Sequence, residues 1–156
     1  FFSSDGTVGP DASRRLRGIV LHNILSSVVV PEDLKPAISE AVDSGELTAL
    51  QAEEAFSLLS RRILGAQSRG WFSESPEEVL NERPLVTAEG ESLRPDRVSI
   101  RNGEVLIIDY KFGRPHPSYL DQVRSYMGTY RALGYTTVRS YLWFVPDDKV
   151  IEVLDE

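Results

Sequence analysis

The chain has 156 residues, of which 41% are hydrophobic, and it carries a formal net charge of −7. This length predicts one domain with a sizeable core. The lack of cysteine excludes disulfides and thiolate metal sites such as zinc fingers. No apolar run approaches the roughly 18 residues that span a bilayer, so we expect a soluble protein. The chain begins Phe-Phe-Ser-Ser without a methionine or a signal-peptide pattern, and we therefore expect it to be a piece of a longer polypeptide or a chain from which a tag was removed.

The negative charge is concentrated in one segment. Seven acidic residues and one lysine between positions 32 and 56 supply −6 of the −7: Glu32, Asp33, Glu40, Asp43, Glu46, Glu53 and Glu54 against Lys35. A net negative charge argues against nucleic-acid partners, because proteins that bind phosphate usually carry a basic surface. The remainder is nearly neutral and contains several arginines, so an acidic lobe and a locally basic site can coexist.

Three helices are predicted in the first half of the chain. The first covers 14–29, the second runs from about 31 to 44 before Gly45, and the third follows Thr48 to about 64 before Gly65. Thr48 and Gln51 form a capping-box pattern at the start of the third helix. The apolar residues of the first helix have helical spacing: Leu16, Ile19, Val20, Ile24 and Val28.

The second half is predicted to contain three strands, a helix and two strands. Short β-branched runs lie within 77–111, and the segments 137–145 and 149–154 have the same character. The intervening segment 117–134 returns to helical spacing, with one apolar face: Leu120, Val123, Met127, Tyr130 and Leu133. This order predicts an α/β or α+β fold around one mixed sheet, with a helical part over 14–66 and a sheet core over 78–156.

Asn102-Gly103 lies between two β-rich runs and predicts a hairpin with a two-residue type I′ turn. In that register Ile100 faces Val105, and Asp96 faces Asp109. Opposed side chains on neighbouring strands have Cβ atoms about 4.5–5.5 Å apart, and like charges there are destabilising. Lys111 projects from the same face as Asp109 by the two-residue period of a strand. An apolar sheet face is thus predicted to end in two carboxylates and one ammonium group.

A hard divalent cation is one partner that stabilises two opposed carboxylates, since Mg²⁺ and Mn²⁺ prefer oxygen ligands. Such a cation can polarise a phosphoryl oxygen and favour deprotonation of water, and a nearby lysine can orient that water. The alternative is a structural network in which Asp96, Lys111 and Asp109 form salt bridges at two strand ends.

These residues carry a family resemblance. Pro95-Asp96, twelve residues and Asp109-Tyr110-Lys111 resemble the PD-(D/E)XK nuclease motif. Gly18-x-x-x-His22 on the first helix resembles the histidine motif of RecB-type nucleases, and Gln122-x-x-x-Tyr126 resembles their Q-x-x-x-Y motif. The four elements occur in the family's order and cover nearly the whole chain. The sequence looks most like the C-terminal nuclease domain of UvrD/Rep-type helicases, which are relatives of RecB and AddA.

The resemblance implies a restriction-endonuclease-like mixed β-sheet flanked by helices, and a role for each motif residue. Asp96, Asp109, the Tyr110 carbonyl and His22 would bind Mg²⁺ or Mn²⁺, and Lys111 would assist the attacking water. Gln122 and Tyr126 would contact the DNA backbone or support Lys111; the alternative is an ordinary amphipathic helix with a buried tyrosine. Related motifs often carry a glutamate one turn after the histidine, where this chain has Ser26.

Four further residues are candidates for the site. Glu82 is an acidic residue in a predicted strand of apolar neighbours and would need a partner there. Arg94, Arg97 and Arg114 flank the motif and are candidates for phosphate binding, with Arg94 and Arg114 preferred because they adjoin the site. Solvated surface arginines are the alternative interpretation.

The resemblance implies a metal-dependent DNA exonuclease that serves as the nuclease module of a helicase in recombination and repair, in the bacterial cytoplasm and associated with the nucleoid. Its partners would be single-stranded DNA or unwound DNA ends, and helicase domains of the same polypeptide. Tethering to a helicase would raise the local DNA concentration, which reconciles nuclease chemistry with an acidic chain. Two alternatives remain: a catalytically inactive nuclease fold that docks DNA ends or proteins, and a dimeric resolvase-like or restriction-like endonuclease.

Overall fold

The computed structural model describes residues 10–155. In this part of the chain four α-helices flank a mixed five-stranded sheet, as the sequence predicts. The helices are α1 Pro10–Ser26, α2 Leu34–Asp43, α3 Ala49–Gln67 and α4 Ser118–Ala132. The strands are β1 Val79–Asn81, β2 Leu85–Val86, β3 Ser92–Leu93, β4 Arg97–Arg101, β5 Glu104–Lys111, β6 Thr137–Phe144 and β7 Lys149–Val153.

The strand order of the sheet is β1-β4-β5-β6-β7. Strands β5 and β6 are parallel and are joined through α4, whereas the other neighbours are antiparallel. Strands β2 and β3 form a separate two-stranded hairpin that the sequence analysis did not resolve. Its Leu85 and Leu93 pack against the core beside α4, so the hairpin extends that layer of the fold.

Each face of the sheet has its own hydrophobic core. Helices α1, α2 and α3 pack on the face that carries Ile108 and Tyr110, and α4 packs on the face that carries Val105 and Ile107. The alternation along β5 follows from the two-residue period of a strand. Asp109 and Lys111 therefore continue the row of Val105 and Ile107 on the α4 face.

The turn between β4 and β5 has the predicted geometry. Asn102 and Gly103 both have positive φ, at 53° and 77°, as a type I′ turn requires. Ile100 pairs with Val105, and the ladder continues to Arg97 opposite Ile108. One position beyond that last pair, the register places Asp96 opposite Asp109.

Several helix boundaries differ from the prediction: α1 begins at Pro10, four residues early, and α2 begins at Leu34 after a 3-10 turn over Pro31–Asp33. Helix α1 ends at Ser26 rather than near position 29, because the Asp33 carboxylate accepts hydrogen bonds from the Val29 and Val30 amides and holds them in a loop. Helix α3 continues through Gly65 to Gln67, since Ile63 and Ala66 are buried. Their packing outweighs the roughly 1 kcal/mol that glycine costs within a helix. The capping box at its start is confirmed: the Gln51 amide donates to Thr48 Oγ1 at 3.1 Å.

Three residues predicted on apolar helix faces are exposed. Leu16 and Ile19 of α1 are 55% and 52% exposed, because the part of α1 that bears them extends past the core. Leu133, the C-cap residue of α4, is 64% exposed. None of the described helices is long and apolar enough to cross a membrane.

Candidate active site

Asp96 and Asp109 meet at one end of the sheet, where α1 and α4 approach the strands. Asp96 immediately precedes β4 and Asp109 is the third-last residue of β5. Both are buried. The hairpin register that the sequence predicts thus puts two carboxyl groups in direct interaction, in a position where alternation alone would place apolar residues.

The Asp96 carboxylate has two donors from other elements. His22 Nε2, on α1, lies 3.1 Å from Asp96 Oδ2, and the Tyr110 amide donates to the same oxygen at 2.8 Å. Burial alone would raise the pKa of Asp96, but the hydrogen bond and charge of His22, with smaller contributions from Asp109 and the Tyr110 amide, hold it below the usual range. Asp96 is therefore the carboxylate of the pair that ionises first.

Asp109 has the opposite environment. Its burial, followed by the negative charge of Asp96, raises the pKa of Asp109 to about 7. Lys111 opposes this effect, with its Nζ 2.8 Å from Asp109 Oδ2. A protonated Asp109 also donates a hydrogen bond to Asp96. Without a cation, one proton is thus shared between two neighbouring carboxyl groups.

Lys111 connects the carboxylates to α4. Its Nζ donates to Gln122 Oε1 at 3.1 Å and lies 4.1 Å from the centre of the Tyr119 ring. The buried Tyr126 side chain lies one helical turn beyond Gln122, and Gln122 is close enough to its hydroxyl to oppose slightly the rise in the pKa of Tyr126. Burial, with the charges of Asp109 and Asp96, raises the pKa of Tyr126, so its hydroxyl stays protonated. Gln122 and Tyr126 therefore lie beside Lys111, and their functional roles stay predictions.

The histidine motif lies on the other side of Asp96. The hydrogen bond to Asp96 raises the pKa of His22, although its partial burial opposes the rise. Ser26, where related motifs often have glutamate, places its Oγ 3.5 Å from His22 Nδ1. Gly18 faces Phe112, and an added Cβ would meet Phe112 Cβ at an ordinary contact distance of 3.5 Å. The glycine is therefore not sterically required at this position.

Glu82 is not within a strand, which corrects the sequence prediction. It follows β1 with a φ of 49°, and its amide donates to the Asp96 carbonyl at 3.0 Å. Its carboxylate is one of the charges that raise the pKa of His22. The turn at Glu82 is thus hydrogen-bonded to the backbone of Asp96, and this bond places Glu82 at the edge of the site.

The three flanking arginines separate into two groups. Arg94 is exposed and lines an open depression of about 470 Å³ with Gln122 and Tyr126. Arg114 is also exposed and follows β5 beside Phe112. Both lie where a phosphate can reach them.

Arg97, by contrast, is 1% exposed, which rules out the phosphate-binding role considered for it. Its guanidinium group pairs with the buried Glu74 at 3.2 Å and donates to the carbonyls of Val28 and Val29, both at 3.1 Å. Sequence reasoning missed Glu74 and could not separate Arg97 from its exposed neighbours. The alternation of β4 is the one available signal, since it assigns Arg97 and Asp96 to opposite faces.

The donor set suits a hard cation. Two carboxylates side by side, one of them with a raised pKa, form a site where a cation can replace the shared proton. Within residues 10–155, no three His, Asp or Glu side chains form a ready-made ligand cluster. Mg²⁺ is usually held by one or two carboxylates and retains several waters, so Asp96 and Asp109 meet its minimum, with His22 and the Tyr110 carbonyl as further candidates.

The chain matches no model in a scan of known protein families, and a search of curated proteins finds no similar one.

Proposed function

We propose that this chain is a metal-dependent deoxyribonuclease module that hydrolyses DNA phosphodiester bonds. The observation that carries the proposal is the line of contacts from His22 through Asp96 and Asp109 to Lys111 and Gln122. These contacts bring together the residues that resemble the PD-(D/E)XK motifs: side chains of α1, β5 and α4, and Asp96 just before β4. Action as an exonuclease within a bacterial helicase, in recombination and repair at the nucleoid, belongs to the same proposal.

Each residue then has a chemical task. Asp96 and Asp109 would hold Mg²⁺ or Mn²⁺, with His22 and the Tyr110 carbonyl completing the ligand set. When bound, such a cation polarises a phosphoryl oxygen and favours deprotonation of water. Lys111 would orient the attacking water and offset the negative charge that develops on the phosphate. Gln122, on α4, accepts a hydrogen bond from the lysine ammonium group and so holds it in position. Tyr126 would support Gln122 from the next turn of the same helix.

The first test is calorimetric titration of Mg²⁺ and Mn²⁺ into the wild type and Asp109→Asn, with cleavage of single-stranded DNA measured on the same samples. We expect both metal binding and cleavage to vanish in the variant. Asp43→Asn is the matched control, since Asp43 is an exposed aspartate on α2. A wild type that binds neither metal, or an Asp109→Asn variant that still cleaves, would contradict the proposal.

A second variant separates metal binding from chemistry. Lys111→Gln should retain metal affinity, because it leaves both carboxylates in place. We expect its cleavage rate to fall by about 10²–10⁴-fold, the usual contribution of a group that assists proton transfer in a reaction. Equal losses of metal affinity and cleavage would instead mean that Lys111 only maintains the carboxylate geometry.

A second candidate function is a catalytically inactive nuclease fold that docks DNA ends or proteins. One observation favours it: each carboxylate already has a cationic or hydrogen-bonding partner, Asp96 in His22 and Asp109 in Lys111. A salt-bridge network of this kind needs no metal. Retention of DNA or protein binding in a wild type that binds no metal would select this candidate.

A further inference from the structure

An open groove lies between the start of α2 and the second half of α3. We call it the α2–α3 groove and define it by six of its lining residues: Pro31, Leu34, Phe56, Ser60, Ile63 and Leu64. Its volume is about 510 Å³, and it shares no lining residue with the candidate active site. The function proposed above therefore leaves this groove without a role.

The groove is apolar at its floor and at its rim. Leu34 and Ile63 are buried beneath it, whereas Phe56 and Leu64 remain 37% and 70% exposed. Single exposed apolar side chains are normal on a protein surface, but these two line the same depression. Apolar surface in such a concavity gains free energy when a ligand removes it from water.

The length of the groove fits a helix. Its lining residues on α3 recur from Phe56 through Ser60 and Ile63 to Gln67, at i, i+4, i+7 and i+11. They span three turns, or about 17 Å at about 1.5 Å per residue. The side chains of a second helix laid along α3 have the same period and can fill this length, as in the recognition of amphipathic helices by grooves. The shape therefore indicates a helical segment of about three turns.

The charge around the groove is negative. Between positions 31 and 67 the chain has seven acidic residues against three basic ones. Of the seven acids, only Glu54 has an ion pair within the described residues 10–155, with Arg17. Glu32 lines the groove itself. Glu53 lies three residues before Phe56 on α3 and therefore shares its side of the helix.

The three cations of this segment leave that charge in place. None of them forms an ion pair within the described part of the chain. Lys35 lines the groove, where its ammonium group lies 5.5 Å from the centre of the Phe56 ring. Arg62 donates to the carbonyls of Val145 and Pro146 next to the sheet, and Arg61 donates to the Ser57 carbonyl on α3 itself. The acids thus remain in excess around the groove.

A negative surface repels DNA, anionic membranes and the same surface of a second copy of the chain, whereas it attracts a basic protein segment. We propose that the α2–α3 groove docks a basic amphipathic helix of a protein partner. The apolar side chains of that helix pack on Phe56 and Leu64, and its lysine or arginine side chains face Glu32 and Glu53. This inference goes beyond the proposed function and does not depend on it, since it assigns a role to the acidic helices whether or not the chain cleaves DNA.

The test is fluorescence anisotropy of two labelled synthetic peptides, measured without metal or DNA. Each peptide has about 18 residues, enough to form a helix, with leucine at i, i+4, i+7 and i+11. One peptide carries lysine at the flanking positions, and the other carries glutamate there. We expect the lysine peptide to bind the wild type at least about tenfold more tightly at low salt, because only its charge complements the acids around the groove.

One variant tests the apolar contact. Leu64→Gln should weaken binding of the lysine peptide by about fivefold or more, the usual effect of truncating an anchor residue in an interface. It should leave the salt dependence unchanged because no charge is removed. Leu154→Gln is the matched control, since Leu154 is a leucine of 65% exposure outside the groove.

A second variant tests the charge. Glu32→Gln/Glu53→Gln should weaken binding of the lysine peptide by about 3- to 10-fold at low salt, and the difference should disappear near about 0.5 M salt, which screens surface charges. The control is Glu89→Gln/Glu91→Gln, which removes two exposed acids between β2 and β3 and changes the net charge equally. A difference between the two double variants therefore reports the groove rather than the total charge. Circular dichroism verifies the fold of each variant.

Weaker binding of the lysine peptide by both groove variants than by their controls is the result that we expect. The proposal would be overturned if the two peptides bind equally, if the groove variants bind like their controls, or if the lysine peptide does not bind at about 1 mM. It would also be overturned by a dimer in analytical ultracentrifugation that Leu64→Gln abolishes, since the groove would then hold a second copy. No step of the test uses metal or DNA, so its result is separate from that of the cleavage assay.

Discussion

At the residue scale, Asp109 is a buried acid that the fold holds against another acid. The raised pKa, about 7, lies well above the value near 3.9 of an unfolded chain. Between these two values the folded protein binds more protons than the unfolded protein does. The free energy of unfolding therefore falls as the pH rises through this window, and the loss is complete above the folded pKa.

The first prediction follows from this fall in the free energy of unfolding with rising pH. In metal-free buffer, Asp109→Asn should be more stable than the wild type, because asparagine resembles the protonated acid and cannot ionise. The gain should be small at about pH 4, near the pKa of the unfolded chain, and should reach roughly 2–4 kcal/mol at about pH 8, because each unit between the two pKa values corresponds to about 1.4 kcal/mol. Urea unfolding at both pH values measures it.

Asp43→Asn serves as the control for pH effects at the surface and should change stability little at either pH. A loss of stability in Asp109→Asn at about pH 8 would mean that the ion pair with Lys111 outweighs the repulsion from Asp96. The site would then be a structural salt-bridge network rather than a site made for a cation.

The three arginines near the motif show which residue roles the sequence alone can and cannot predict. Arg94, Arg97 and Arg114 have the same chemistry and lie near the same motif. Their roles separate only when burial is known: Arg97 is enclosed with Glu74, whereas Arg94 and Arg114 reach solvent. The partner of Arg97 lies 23 residues away along the chain, and no local pattern identifies it. Asp96 and Asp109 were predictable because a two-residue turn fixes their register.

At the scale of elements, Arg97 fastens strand β4 to two loops: its hydrogen bonds reach the loop that follows α1, and its ion pair with Glu74 reaches the loop that follows α3. Arg97 donates to the carbonyls of Val28 and Val29 and stacks over the Phe72 ring at 4.2 Å. Asn81, on β1, donates to the same Val28 carbonyl at 2.8 Å. Because α1 carries His22 and β4 follows Asp96, this junction contributes to the placement of the two residues relative to each other.

The second prediction concerns this junction. Arg97→Met should lower the free energy of unfolding by about 3–5 kcal/mol, because it leaves the buried Glu74 carboxylate without its partner. The double variant Arg97→Met/Glu74→Leu should recover a large part of the loss, since it removes both charges. Denaturant unfolding measures both. A double variant no more stable than Arg97→Met would show that the contacts with the two carbonyls, and not the ion pair, hold the junction.

The third prediction concerns the turn that sets the register of β4 and β5. Asn102→Val should lower the free energy of unfolding by about 1–3 kcal/mol, because a β-branched residue resists the positive φ of 53°. Cleavage should fall with it, since Asp96 and Asp109 are brought together by this register. Asn102→Gly is the control and should stay close to the wild type in both unfolding and cleavage assays. Loss of stability with full cleavage activity would contradict the role of the turn.

Elements were predicted well where a local signal determined them and poorly where packing did. The capping box of Thr48 and the turn at Asn102-Gly103 are local, and both are confirmed. The end of α1 depends on Asp33 capping a loop from several residues downstream, and the passage of α3 through Gly65 depends on buried neighbours. The hydrophobic periodicity of these segments predicts neither the end of α1 nor the continuation of α3. The hairpin of β2 and β3 is too short to show a period.

At the scale of the whole molecule, the sheet is shared by two cores, and the site lies at the end of the sheet where both layers meet. Strand β6 belongs to both: Trp143 packs with Trp71 and Phe72 on the side of α3, whereas Leu142 packs on the side of α4. Asp109 and Lys111 are neighbours of this strand through the parallel pairing of β5 with β6. A substitution that destabilises one core should therefore also destabilise the other.

The last prediction tests this coupling. Met127 is 2% exposed on α4 and accepts a hydrogen bond from Ser140 of β6 through its sulfur at 2.8 Å. Met127→Ala should lower the free energy of unfolding by about 2–5 kcal/mol. Both tryptophans lie in the opposite core, yet their fluorescence should report the same shifted midpoint as far-ultraviolet circular dichroism, because the two layers share β6 and unfold as one unit. Two separate midpoints would show instead that the helical layer of α1 to α3 stays folded when the α4 layer is lost, and that the site can open at the junction between them.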